Sequence, residues 1–446
     1  MIQNQEINCS PSVANGLWLL LAEIVAFKEE ITAKSADYFL RQPLKIDGNI
    51  RVPFMGQEEL LREYMAPLSK AIGIEIEPVS DTAKFSLIDS LLNDRLSVVL
   101  AQFDSTAVSD VSDFDLADKE QIVHSFLNEY TEQQRAQSAE VTRVMNGLER
   151  RSTKNESGET LYYYAGGSGE RTIVIINAFG QGLAYWTRLI ADLVVNHKVI
   201  IWLPRGSGYE TVGITTSYSV TEHREDLKAL LTQERIERAE FLGWCTGPKL
   251  IIDYYAAYPD QVASMVFLNA TFKDWPGNID AQTDFEKNLA PLLKMVHDRP
   301  QLATPLIESL KNVLLARGAD IHDPQSSKEL MKLLAVPCAD LSEAVVEPLL
   351  SQTGVVSYAK QLMDFWNYNV SELFGAISVP VLFITGDCDR IAAPRMAQLA
   401  AKAIPTAKYV EVSGGSHYLL YERHELVSRL VELFWAPKVF SYRAQG

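Results

Sequence analysis

Cys245, Asp389 and His417 are the residues in this 446-residue sequence whose types and order could carry out acyl transfer. Cys245 sits in Gly243-Trp244-Cys245-Thr246-Gly247, where glycines two positions to either side leave room for a sharp strand-to-helix turn that pushes the middle side chain outward. Upstream, Ala239-Glu240-Phe241-Leu242 reads as a short buried strand, and downstream Lys249 to Tyr258 reads as a helix with an apolar face. A thiolate at that turn is a nucleophile, favoured by the start of the helix behind it. The competing reading of the pentapeptide is a structural cysteine in a glycine-punctuated turn, since free cysteine packs like a small hydrophobe.

Such a nucleophile needs a base, and the base needs an acid to orient it. The apolar run Val379-Pro380-Val381-Leu382-Phe383-Ile384-Thr385-Gly386 ends in Asp387-Cys388-Asp389, ahead of Pro394 and the next helical pattern. Asp389 is assigned the orienting role, with Asp387 as its rival; the other use of Asp387 is as a polar turn residue or helix cap. Tyr409-Val410-Glu411-Val412 reads as a final strand and leads into Ser413-Gly414-Gly415-Ser416-His417-Tyr418. His124, His223, His297 and His424 lie in helical or charged surroundings, whereas His417 follows a strand in a glycine-rich loop. Charge developing on the acyl oxygen calls for two backbone N–H donors. Thr246, next to the nucleophile, supplies one; Phe179, in the loop Asn177 to Gly182 after the buried run Ile173 to Ile176, supplies the other.

Strand-like runs at 161–164, 173–176, 198–202, 239–242, 264–268, 379–386 and 409–412 alternate with helical patterns, which predicts an α/β fold with a mostly parallel sheet and its functional loops gathered at one edge. Between Leu268 and Val379 the pattern is helical for roughly a hundred residues, too long for a plain connection, and so reads as a cap inserted over the site. The expected organisation is an N-terminal helical domain at 1–150, core segments at 158–272 and 377–446, and the cap at 273–376. Trp244, Asp274 and Trp366 are placed at the substrate, with Asp274 as a possible acceptor for an ammonium group; the cluster Phe365, Trp366 and Tyr368 also suits internal packing.

From about residue 158 onward the chain resembles an α/β-hydrolase-fold enzyme, with nucleophile, acid and histidine in that family's order. Asn177 stands where relatives usually carry histidine, and Pro204-Arg205-Gly206-Ser207-Gly208 where many carry a D-x-R-G-x-G loop. More narrowly, G-W-C-T-G together with a long N-terminal extension resembles the thioesterase-like aminoacyltransferases of nonribosomal peptide pathways, of the syringomycin and coronamic acid types. That resemblance implies donor and acceptor peptidyl carrier proteins as partners, an aminoacyl group passed between their phosphopantetheine thiols, and no cofactor bound to the chain itself. A thioesterase or other hydrolase that hands the acyl group to water is the alternative, and a non-catalytic binding protein of the same fold is a third.

A hydrophobic content of 47% suits a large core, and a net charge of −16 argues against a nucleic-acid or anionic-membrane surface. Cysteines 9, 245, 338 and 388 have neither metal-ligand nor disulfide-framework spacing, which fits a reducing, cytoplasmic setting without a metal. The apolar run Leu17 to Val25 contains Glu23 and is too short to span a bilayer, and no basic segment precedes it to make a signal peptide.

Overall fold

A computed structural model describes residues 11–37, 50–53, 58–73, 76–79, 89, 91–92, 95–96, 116–206, 217–273, 275–315, 332 and 334–436. The chain divides into two compact units, 1–139 with 318–334, and 140–317 with 335–446.

In the first unit, helices Pro11–Asp37 and Glu58–Ile72 and the first part of Leu116–Gly147 accompany two short strands, β1 (Ile50–Pro53) and β2 (Ile76–Val79). The two strands pair in parallel, with Glu58–Ile72 as the crossover between them. This part is therefore not all-helical. Each strand is four residues long and carries a proline, too little for an alternating pattern to register. Leu21, Phe27, Ile31, Leu68 and Leu92 are buried here, and the Lys34 ammonium donates to the Leu334 carbonyl at 2.8 Å. Much of the expected helical domain at 1–150, including residues 97–115, lies outside the described residues.

The second unit is built on an eight-stranded sheet: β3 (Glu149–Lys154), β4 (Thr160–Gly166), β5 (Thr172–Ile176), β6 (Lys198–Leu203), β7 (Ala239–Trp244), β8 (Val262–Leu268), β9 (Val381–Gly386) and β10 (Ala407–Val412). Their order is β10-β9-β8-β7-β5-β6-β4-β3; β4 runs antiparallel to both its neighbours, β3 and β6, and all the other neighbouring strands pair in parallel. β3 begins ahead of the expected start at 158. Its sequence, Glu-Arg-Arg-Ser-Thr-Lys, is mostly exposed, the charged composition that keeps an edge strand from pairing with other chains. The central strands β5, β7 and β8 are buried on both faces, so they read as continuous apolar runs rather than alternating ones.

Between β8 and β9 lie helices Asp284–Asp298, Ala303–Leu315, Ser342–Val346 and Gln352–Asn367, of which Gln352–Asn367 packs against the first two. Lys249, on the helix behind Cys245, anchors this insertion. Its buried ammonium donates to the carbonyls of Phe365 at 2.8 Å, Tyr368 at 2.9 Å and Lys273 at 3.1 Å. Two of these belong to the carboxyl end of Gln352–Asn367, where orphan carbonyls need partners. The helix that follows Cys245 and the carboxyl end of Gln352–Asn367 thus share one charged fastening. No described helix is long and apolar enough to cross a membrane.

Candidate active site

β7 runs straight into Cys245, and the helix Gly247–Ala257 begins two residues later. Cys245 has φ of 56°, a left-handed conformation that residues with a Cβ avoid. Two hydrogen bonds hold it there: the Cys245 N–H donates to the Leu268 carbonyl at 3.1 Å, and the Thr271 N–H donates to the Cys245 carbonyl at 2.9 Å. The flanking glycines are required by close approach. A Cβ at 243 would lie 2.6 Å from Ile251 Cδ1, and one at 247 would collide with the Ile176 carbonyl oxygen. Strain of this kind persists where the surroundings over-determine it, and it leaves the thiol half-exposed at the carboxyl edge of the sheet.

His417 and Asp389 arrive from the loops after β10 and β9, both buried. The His417 Nδ1–H donates to Asp389 Oδ2 at 2.8 Å, and the ring is hydrogen-bonded to Cys245 on its other side. Burial works against a charge on this imidazole, but Asp389 and Cys245 outweigh it and push the His417 pKa up to about 10. Asp389 accepts three further bonds, from Ile391 N–H at 2.8 Å and Ala392 N–H at 2.9 Å on Oδ1 and from Asn269 Nδ2 at 2.8 Å on Oδ2. Asp387 has other work: it accepts from the Gly414 N–H at 2.8 Å and so ties down the glycine loop ahead of His417.

Asn269 is a positioning residue that the sequence reading did not single out. It follows β8 with φ of 44°, and its amide also donates to the Ser416 carbonyl at 3.2 Å, linking the acid to the histidine loop. Asparagine tolerates the left-handed region better than most residues, so an Asn at the carboxyl end of a central strand was the available signal.

Phe179 and Thr246 meet beside the thiol. The Thr246 N–H has no partner within the described chain, whereas the Phe179 N–H donates to the Thr246 hydroxyl oxygen at 3.0 Å. The loop is held rigidly despite the absence of histidine at 177: Asn177 Nδ2 donates to the Gln181 and Gly182 carbonyls at 2.7 and 2.9 Å. Its Oδ1 accepts from Ala178 N–H and Trp186 Nε1, both at 2.8 Å. In the Pro204-Arg205-Gly206 loop, the guanidinium of Arg205 is buried in a forked pair with Asp226, a structural role.

Cys245, His417, Phe179 and Thr246 open onto a cavity of about 50 Å³. A water needs roughly 10–15 Å³ on that measure, so the space suits a small acyl group. Trp244 and Trp366 both line it. Trp244 has a second task, since its Nε1 donates to the His417 carbonyl at 3.0 Å. Phe365 packs instead on the Phe179 ring, with centroids 3.8 Å apart, and the Tyr368 hydroxyl donates to Asp253. Asp274 lies outside the described residues.

His223 supports the same loop from beneath, edge-on to Phe179 at 4.9 Å. Its Nδ1–H donates to the Ser219 carbonyl at 2.9 Å, leaving Nε2 buried without a donor. Burial pushes its pKa down to about 3. The unfolded chain therefore takes up a proton here below pH about 6.5 that the folded chain refuses. The associated stability is complete above pH 6.5 and is lost as pH falls toward 3, by at most about 1.4 kcal/mol per pH unit. Glutamine at 223 keeps a donor but does not titrate. The gap in denaturant midpoint between wild type and His223→Gln is expected to narrow from pH 7 to pH 5, and an unchanged gap would contradict this account.

A sequence model described as alpha/beta hydrolase fold matches residues 171–424, more than half of the chain. Similar curated proteins include two named putative carbamate hydrolase RutD. The one from Azorhizobium caulinodans is 24% identical over 260 residues, 58% of this chain and 88% of that protein; the one from Pseudomonas savastanoi pv. phaseolicola is 22% identical over 246 residues, 55% and 86%. Among solved structures, the α/β hydrolase MGS-M2 from a Medee basin deep-sea metagenome superposes with a TM-score of 0.53 at 18% identity, covering 66% of this chain and all of that one. Esterase RhEst1 from Rhodococcus sp. ECU1013 gives 0.50 at 20% identity, covering 64% and 98%.

Proposed function

Since this chain belongs to the α/β-hydrolase fold family, we propose that it transfers an aminoacyl group between the phosphopantetheine thiols of two peptidyl carrier proteins through a thioester on Cys245. The observation that carries this reading is a cysteine in the strained turn after β7, hydrogen-bonded to an imidazole that Asp389 holds. A thioester on Cys245 is close in energy to a thioester on pantetheine, so the acyl group can move on as readily as it arrives. An oxygen ester would be a lower-energy stop.

In the first half-reaction the Cys245 thiolate attacks the carbonyl carbon of the donor thioester while its proton resides on His417. The carbonyl oxygen becomes an oxyanion facing the Thr246 N–H, and the Phe179 N–H joins once the Thr246 hydroxyl turns aside. The donor's carbon–sulfur bond breaks, and the departing pantetheine thiolate takes the His417 proton. In the second half-reaction His417 accepts the proton of the acceptor thiol, which attacks the acyl carbon. Cys245 leaves as thiolate, again paired with the imidazolium. A cap that limits water keeps the intermediate for the second thiol.

Hydrolysis is the second reading, favoured by the fold family and by relatives that carry a carbamate hydrolase name. Incubation with a panel of aminoacyl-loaded carrier proteins separates the two. Transfer gives an aminoacyl mass increment on Cys245 and then label on a second carrier; release of free amino acid without loading of the acceptor favours the hydrolase.

A further inference from the structure

The cavity beside Cys245 contains a carboxylate that the acyl-transfer machinery does not use. Glu286 is the third residue of the helix Asp284–Asp298 and forms a capping box with Thr283: Oε2 accepts from the Thr283 N–H at 2.9 Å, and the Thr283 hydroxyl accepts from the Glu286 N–H at 3.1 Å. A capping carboxylate is ordinarily at the surface, where water completes its shell. This one is 3% exposed and lines the same cavity as the thiol.

It is also held from the opposite side. The Thr271 hydroxyl donates to Oε1 at 2.6 Å, and Thr271 is the residue whose backbone N–H fixes the Cys245 carbonyl. The carboxylate and the nucleophile are thus referenced to one residue. A carboxylate offers about four acceptor positions, and Oε1 accepts a single bond, so one position remains for a ligand. Among the described residues no cationic side chain pairs with Glu286; Lys273, over the Trp366 ring at 5.1 Å, attracts it from beyond salt-bridge reach. Burial raises the Glu286 pKa, the direction expected of a buried carboxylate lacking a close cation. The neighbouring wall is apolar, formed by Phe285, Leu314, Val345, Leu362 and Trp366. A buried anion in such a wall is complemented by a cationic donor on the ligand.

We propose that Glu286 receives the α-ammonium group of the acyl chain on Cys245, which makes the cavity selective for aminoacyl over plain acyl thioesters. This rests on the acyl-enzyme reading above and deepens it by giving the ammonium group an acceptor inside the cavity. No covalent change at Glu286 is involved, and the ammonium remains protonated throughout.

The test uses full-length protein with alanyl- and propionyl-N-acetylcysteamine, thioesters that differ by the ammonium group, and follows the mass increment on Cys245. Wild type is expected to load alanyl roughly 10- to 100-fold faster than propionyl, the size expected for a hydrogen bond to a charged group. Glu286→Gln keeps the shape and most of the hydrogen bonding, and should lose most of that ratio through slower alanyl loading. Thr283→Ala weakens the same capping box without removing the carboxylate, and should keep a preference for alanyl. Equal loading of both thioesters by wild type overturns this inference while leaving the acyl-enzyme reading intact. So does a Glu286→Gln variant that slows both thioesters by the same factor, which would mark Glu286 as a helix cap only. Loading by neither thioester, nor by any aminoacyl carrier protein, overturns both.

Discussion

Alanine at position 417 is expected to slow acylation of Cys245 by ~10²–10⁴-fold, the range for loss of a positioned general base. Among the described residues the imidazole is the hydrogen-bond partner of the thiol, and it must also return the proton to the leaving thiolate. Asparagine at 389 should cost as much, ~10³–10⁴-fold, and the contacts say why. All four groups around this carboxylate are donors: His417 Nδ1–H, Asn269 Nδ2, Ile391 N–H and Ala392 N–H. An amide NH₂ at that position would face donors whichever way it turned. Either it points at His417 and forces the wrong imidazole tautomer, or it points at the two N–H groups and breaks the loop. Asp387→Asn offers the comparison. It disturbs the bonds from the Gly414 N–H and the Ser413 hydroxyl, and is expected to cost less than about tenfold, as for hydrogen bonding within a supporting loop. Single-turnover acylation followed by intact mass decides between them; a large loss in Asp387→Asn with near-normal Asp389→Asn would transfer the orienting role to Asp387.

The parts of this site that were legible in the sequence are those fixed by local pattern. β5, β7, β8 and β9 are apolar runs because both faces of a central strand are covered, and the glycines at 243 and 247 mark a turn with no room for a Cβ. Cys245 and Asp389 could be read because each follows such a strand, and His417 because it lies in a glycine-rich loop after the last strand, β10. What was not legible depends on contacts between distant segments. Asn269 and Glu286 are ordinary polar residues in sequence, and their importance comes from which oxygen or cavity they meet after folding. Trp244 was placed at the substrate, yet its indole N–H also pins the His417 carbonyl, 173 positions away. The hydroxyl of Thr246, engaged by the Phe179 N–H, could not be inferred from a motif that speaks only of backbone. Edge strand β3 escaped because a solvated, charged strand lacks the alternation that identifies buried ones.

Serine at position 245 distinguishes a shuttle from a hydrolase more sharply than loss of the nucleophile does. The hydroxyl fits the turn, and with the thiolate gone only Asp389 opposes burial at His417, so the imidazole pKa should fall from about 10. A histidine with a lower pKa spends more time as the neutral base at pH 7, which helps it activate a serine. Loading from a donor thioester can therefore survive. Delivery cannot be expected to survive equally, because the stored species is now an oxygen ester and its attack by a pantetheine thiol runs uphill. Each ~1.4 kcal/mol by which the ester lies below the thioester slows the return about tenfold, so delivery should drop by ~100-fold or more relative to loading. Water, by contrast, gains from either intermediate, and a hydrolase carrying serine would keep releasing free acid. The measurement is paired: intact mass of Cys245→Ser after exposure to a loaded donor, and label appearing on a second carrier. Accumulated acyl-serine with little delivery is the result expected of a thioester shuttle, and delivery at the wild-type rate would remove the reason for cysteine at this position.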